Sequence, residues 1–323
     1  MSAAESSTDT TKEDVPTENA PYEPTIVDVL VVKAMLNKAL SPPQEIIDRI
    51  VDLAEYWPHT TSEWTSQQGE DPPPTTLAWG RGQENVFVLR APPLGLPTWR
   101  RSPSIPGGQP ERKTPKLQPA GEEFPSEVFQ RLTKMPMPML VHPCRRIVFT
   151  IRSRDQGWGG EPDTQGTYNS SWTWFEAGLE RWCKTSTSET DTSTGQQSEQ
   201  PSLMVDDLST VLPPVRWDET RRQHVFDHPL LPREDLKIQC NEVATNEIQE
   251  HRVVWSYNDD IDPDRDTVAA ARLEESGRGT ATGTGKFVRD LKLGDVVTVW
   301  SKARFAGWQN HVSSVKVKVY YAV

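Results

Sequence analysis

The chemistry-bearing residues of this chain gather around two glycine-flanked tryptophans. In Arg154-Asp155-Gln156-Gly157-Trp158-Gly159-Gly160, a large ring sits between glycines, just after a polar run. Gly307-Trp308-Gln309-Asn310 repeats the theme near the C-terminus. Glycine frees the backbone on either side of such a ring, so the ring tucks back as a lid or stands out as a platform. If both turns share one end of the fold, Trp158 and Trp308 frame a shallow aromatic site edged by Arg154, Asp155, Gln156 and Asn310. Rings beside planar polar groups suit the apolar face and hydroxyl edge of a sugar, and equally an extended peptide. The plainer alternative is that both turns only close pairs of strands.

Other constellations are incomplete. Gly283-Thr284-Gly285-Lys286 has the end of a phosphate loop, but Thr280 stands where the first glycine is required and Phe287 where the magnesium-binding hydroxyl belongs. Asp260, Asp262 and Asp264 have calcium-loop spacing, yet Arg265 takes the glycine position and Ala271 that of the bidentate carboxylate. His142 and Cys144 have no second pair at metal-site spacing, and no Gly-x-Ser-x-Gly elbow occurs. Glu176 and Glu180, one helical turn apart beside Arg181, are a weak paired-carboxylate candidate for hydrolysis. No catalytic residue, metal or cofactor is expected, and the chain reads as non-enzymatic.

The elements that would position the tryptophans are strands. Asn85–Leu89 is a short strand candidate, and Arg146–Arg152 places Ile147, Phe149 and Ile151 on one face. Ser171–Phe175 pairs Trp172 with Trp174, while Leu236, Ile238, Cys240 and then Val253, Trp255, Tyr257 alternate. Val296–Trp300 is apolar on both faces, as a central strand is. The last element sets Val315, Val317, Val319, Tyr321 and Val323 on one side. With weaker runs near 222–228 and 286–290, about eight to ten strands emerge, and such a series reads as a sandwich or barrel. A single helix is expected at Val268–Glu274.

Charge and composition point the same way. The 28 prolines among 323 residues exceed the usual share and exclude an all-helical fold. Tryptophan (12) outnumbers both phenylalanine (8) and tyrosine (6). The net charge is −11, yet residues 1–24 and 259–275 each carry −5 and 184–204 carry −2, which leaves the remainder near neutral. The acidity therefore belongs to a tail and two loops. Arg100, Arg101, Arg112, Lys113 and Lys116 form a basic stretch without aromatic interleaving, so no nucleic acid is expected. No apolar run is long enough to span a membrane, no basic-then-apolar leader opens the chain, and three scattered cysteines suit a reducing compartment. The expected location is cytoplasmic or nuclear.

Ahead of the strands lie two helices. Ile26–Leu40 is apolar at helical spacing, and after Ser41-Pro42-Pro43 the stretch Gln44–Tyr56 places Ile46, Ile47, Ile50, Val51 and Leu53 along its apolar side. The string Leu40-Ser41-Pro42-Pro43-Gln44-Glu45-Ile46-Ile47-Asp48-Arg49-Ile50 resembles the opening of an F-box, whose pattern is Leu-Pro-x-Glu-Ile followed by apolar residues at helical spacing. The resemblance covers residues 40–57. It implies a protein partner, the adaptor subunit of a cullin-based ubiquitin ligase, bound through Ile46, Ile47, Ile50 and Leu53, with a downstream domain that selects substrate. On the residues alone, the plainer reading is that the hairpin simply caps one end of the sandwich. The C-terminal portion, with its Leu291-Lys292-Leu293-Gly294-Asp295 turn, is similar to jelly-roll, carbohydrate-binding-module-like sandwiches, and implies an alternative role as an intracellular lectin.

The sequence thus predicts a mainly β protein: an antiparallel, jelly-roll-like β-sandwich with a short N-terminal helical hairpin. Its expected layout is an acidic disordered tail (1–24), the F-box-like hairpin (25–58), a linker (59–76) and the sandwich (77–323). Disordered insertions are expected near 100–125, 184–204 and 259–285.

Overall fold

A computed structural model describes residues 22–66, 75–78, 83–96, 112–125, 127–129, 142–183 and 207–323. The expectations for most of 1–24, for 100–111 and for the 184–204 insertion lie outside the described residues. Two antiparallel sheets pack face to face. Sheet A runs β1 (His59–Thr65), β12 (Gln309–Tyr321), β4 (Cys144–Arg154), β10 (Gln249–Ser256), and β2 (Thr75–Leu77) also pairs with β12. Sheet B runs β3 (Asn85–Arg90), β11 (Val296–Ala303), β5 (Thr173–Trp182), β6 (Leu208–Leu212), and β9 (Lys237–Cys240) also pairs with β5. A separate hairpin joins β7 (Val215–Asp218) to β8 (Gln223–Phe226).

The core between the sheets follows the alternation in the sequence. Ile147, Phe149 and Ile151 of β4, Val253 and Trp255 of β10, and Val315, Val317 and Val319 of β12 meet Phe175, Ala177 and Leu179 of β5 and Val297 and Val299 of β11 in one cluster. Burial of that many apolar side chains, at about 1.5–3 kcal/mol each, is the main favourable term in the fold.

The helices belong to the same body. Helix α1 (Ile26–Leu40) starts with a capping box between Thr25 and Asp28, and α2 (Gln44–Leu53) follows the two prolines. Val29 of α1 and Val51 of α2 join the inter-sheet cluster. Asp52, at the end of α2, is buried and accepts hydrogen bonds from Arg145 Nε (2.7 Å), Trp57 Nε1 (2.9 Å) and the Tyr257 hydroxyl (3.0 Å). Lys33 of α1 bonds Asp48 of α2 (2.8 Å) and the Val323 carbonyl. No helix among the described residues is long and apolar enough to cross a membrane.

Several expectations are corrected. Residues 59–65, placed in a linker, form β1 in register with β12. Its inward residues are Thr60, Ser62 and Trp64, so small polar side chains hide the alternation. Residues 259–285 are ordered around α3 (Thr267–Glu275), whose Asp266 side chain caps Ala269. Lys286–Arg289 is a helical turn, α4, and not a strand. Of the basic stretch, Arg112 lies over the Trp64 ring at 5.0 Å. Glu176 and Glu180 sit on strand β5, and not on a helix.

Asp52→Ala would leave the Arg145 guanidinium buried without this carboxylate, at a cost of about 3–5 kcal/mol. Denaturant unfolding should show the lowered midpoint, and an unchanged midpoint would show that Asp52 does not anchor α2.

Candidate functional site

The two glycine–tryptophan turns meet at one edge of the sandwich. Gln156 Oε1 accepts from the Gln309 amide (3.2 Å) while its Nε2 donates to the Trp158 carbonyl (2.6 Å), so one side chain ties both turns. The Trp158 ring lies over Gly307, where an added Cβ would stand 3.4 Å from it, and Gly307 holds φ +94°. Gly157 is equally constrained: φ is +82° and a Cβ there would come within 2.5 Å of Asn246. Trp158 is 62% exposed, whereas Trp308 is half-buried. Phe305, at φ +62°, exposes its ring and meets Trp172 edge-on at 4.4 Å. The edge therefore presents Trp158 and Phe305 around the glycine between them. A bulky residue held at positive φ costs strain that the surrounding packing must offset.

The polar groups expected to edge this site have other tasks. Asp155 is fully buried and accepts from the backbone N–H groups of Gly157 (2.7 Å), Ala244 (2.6 Å) and Thr245 (3.0 Å). Burial pushes its carboxyl upward, and the three amides oppose that push. Asn310 is also fully buried: its Oδ1 accepts from Asn241 (3.0 Å) and its Nδ2 donates to the carbonyls of Trp174 and Lys302. Both side chains clamp the turns from beneath. Gln156 uses both ends of its amide, and the half-exposed Arg154 donates to the Asp155 carbonyl (3.1 Å). The turns come together, but as an aromatic edge without the polar rim.

The helical candidates divide by face. Ile47 is fully buried, which corrects its assignment as a partner-binding residue. Ile46, Ile50 and Leu53 recur one turn apart and are 51%, 39% and 68% exposed. Val27, Val31 and Met35 of α1 and Leu40 at its end are each half exposed or more. Half of the large apolar side chains exposed among the described residues lie between Tyr22 and Leu53. Comparison with known protein families, curated proteins and solved structures finds no match for the chain.

A third feature was not legible beforehand. The outer face of sheet B is covered, and charges are buried on it. Arg90 and Glu180 form a bidentate pair (2.7 and 2.9 Å). Glu176 accepts from Trp174 Nε1 (2.9 Å), the Arg233 amide (3.2 Å) and Lys302 (3.2 Å), and Lys302 also bonds His228. The glutamates considered for hydrolysis are thus each held by a cation. Burial drives the Lys302 amine down to about 8 against the pull of Glu176. It drives His228, with Lys302 and Arg304 beside it, down to about 2, and His311, beside Arg154, down to about 4. Phe226, the last residue of β8, and His228, just after it, reach this face and pack on Trp300 at 5.1 Å each. That packing depends on a covering segment whose destination no periodicity marks. Among the described residues, no group of three or more His, Cys, Asp or Glu is placed to hold a metal ion.

Neutral His228 has a defined sign for stability. Below about pH 6.5 the unfolded chain takes up a proton that the folded His228 refuses, so its contribution is present above that pH and is lost as pH falls. His228→Gln should flatten the acid side of the stability profile relative to wild type. Parallel wild-type and variant profiles between about pH 7 and pH 4 would contradict this.

Proposed function

We propose that the protein is a non-enzymatic interaction protein whose partner docks on the outward face of α2. As the F-box resemblance implies, that partner is the adaptor subunit of a cullin-type ubiquitin ligase, and the sandwich selects the substrate. The observation that carries the reading is the division of α2 itself. Ile47 and Val51 turn into the protein, while Ile46, Ile50 and Leu53 form an apolar row facing solvent. A folded protein rarely leaves such a row uncovered without a partner for it. Leu40 and Pro43, from the same F-box-like string, are exposed beside it in sequence. This role belongs to the cytoplasm or nucleus.

Full-length protein should recover the purified adaptor subunit in a pull-down. Ile46→Asp/Ile50→Asp should weaken the recovery about 100-fold or more, because two apolar anchors are replaced by charges that must be desolvated. Both positions face solvent, so thermal melting should be little changed. If the wild type recovers no adaptor, the receptor reading fails.

A second reading, a lectin-like carbohydrate binder, draws on the exposed ring of Trp158 on its clamped turn. An aromatic platform of this kind stacks on a sugar's apolar face. Glycan-array binding by the full chain that disappears in Trp158→Ala would support it, and a blank array for the wild type would exclude it.

A further inference from the structure

The outward stripes of the two helices are separate surfaces. Asp48, which bonds Lys33 of α1, lies two residues from Ile50, and two residues turn an α-helix by about 200°. The Ile46–Ile50–Leu53 row therefore faces away from α1. On α1 the outward stripe is Val27, Val31, Ala34, Met35 and Lys38, opposite the core-facing Val29, Val32 and Leu36.

We infer that the α1 stripe pairs, antiparallel and about a two-fold axis, with the same stripe of a second copy of this chain. The arrangement is self-complementary, as an isologous contact requires. An axis passing between Val31 and Ala34 sets Val31 against Ala34 and Met35 of the second copy, and Asp28 against its Lys38. The charges match in that register and in no parallel one. Asp28, at the start of the helix, is held ionised by the Thr25 amide (2.8 Å) and hydroxyl (2.7 Å), and Lys38 is exposed in the last turn. Antiparallel pairing also opposes the two helix dipoles. Valine and alanine at the centre permit close approach of the axes, near the lower end of the usual range of about 8–10 Å. The contact is only one helix stripe wide, so it falls below about 1,200 Å² and the dimer is weak, with dissociation in the micromolar range.

This inference stands apart from the adaptor reading, and the two are separable by experiment. Sedimentation equilibrium of the full chain should show a reversible monomer–dimer equilibrium through the micromolar range. Val31→Asp, at an exposed position, should leave a folded monomer. Lys38→Glu should weaken the dimer about three- to tenfold, because the symmetry uses the Asp28–Lys38 pair twice, and added salt should weaken the wild type. Ile46→Asp/Ile50→Asp should dimerise as the wild type does. A wild type that stays monomeric at every concentration overturns the proposal, whatever the adaptor pull-down shows. A dimer that survives Val31→Asp, or is indifferent to Lys38→Glu, also overturns it.

Discussion

The carboxylate of Asp52 decides which way the N-terminal helices face. It stands at the end of α2 and gathers a guanidinium from β4, an indole from the chain leaving the helix, and a phenol from the segment after β10. Three donors from three places fix the helix in both rotation and distance, which apolar contacts alone do poorly because they are not directional. Once α2 is locked with Ile47 and Val51 inward, the positions one turn apart on its flank have nowhere to go but solvent. The exposed apolar row is thus a geometric result of a buried ionic contact on the same helix.

Buried polar groups play the same part elsewhere. Asp155 gathers the amides of Gly157, Ala244 and Thr245, and so holds the Trp158 turn to the loop after β9. Asn241 links Ser153 of β4, Thr173 of β5 and Asn310 of β12, so one amide side chain joins both sheets. Each of these groups is costly to bury alone and rigid once satisfied. The aromatic edge is therefore a presented surface on a stiff base.

These clamps also mark where the sequence was legible. Strands with valine, isoleucine or aromatic residues on the inward face, such as β4, β10 and β12, announced themselves by alternation. Strand β1 did not, because two of its three inward side chains are Thr60 and Ser62, which look like a linker. The two glycine–tryptophan turns were visible in the sequence, but that they meet at one edge is shown only by the fold, where Gln156 ties them. The roles of Asp155 and Asn310 were not, since a polar residue beside an exposed ring reads the same whether it faces a ligand or the backbone of a distant loop. For α2, the spacing gave a wide apolar side, and only the docked helix shows that Ile47 belongs to the core and Ile46, Ile50 and Leu53 to the surface. The charges under the segment after β8 required knowing which strands lie together.

The position of β12 has its own consequence for the birth of the protein. This strand lies between β1 and β4 and also pairs with β2, yet it follows every other strand of the two sheets in the sequence. Until it emerges from the ribosome, the edges of β1 and β4 that it joins stand open to other chains. Closure of sheet A must bridge contacts such as Thr60 with Val319, among the longest in the sequence, so the sandwich completes itself late and slowly.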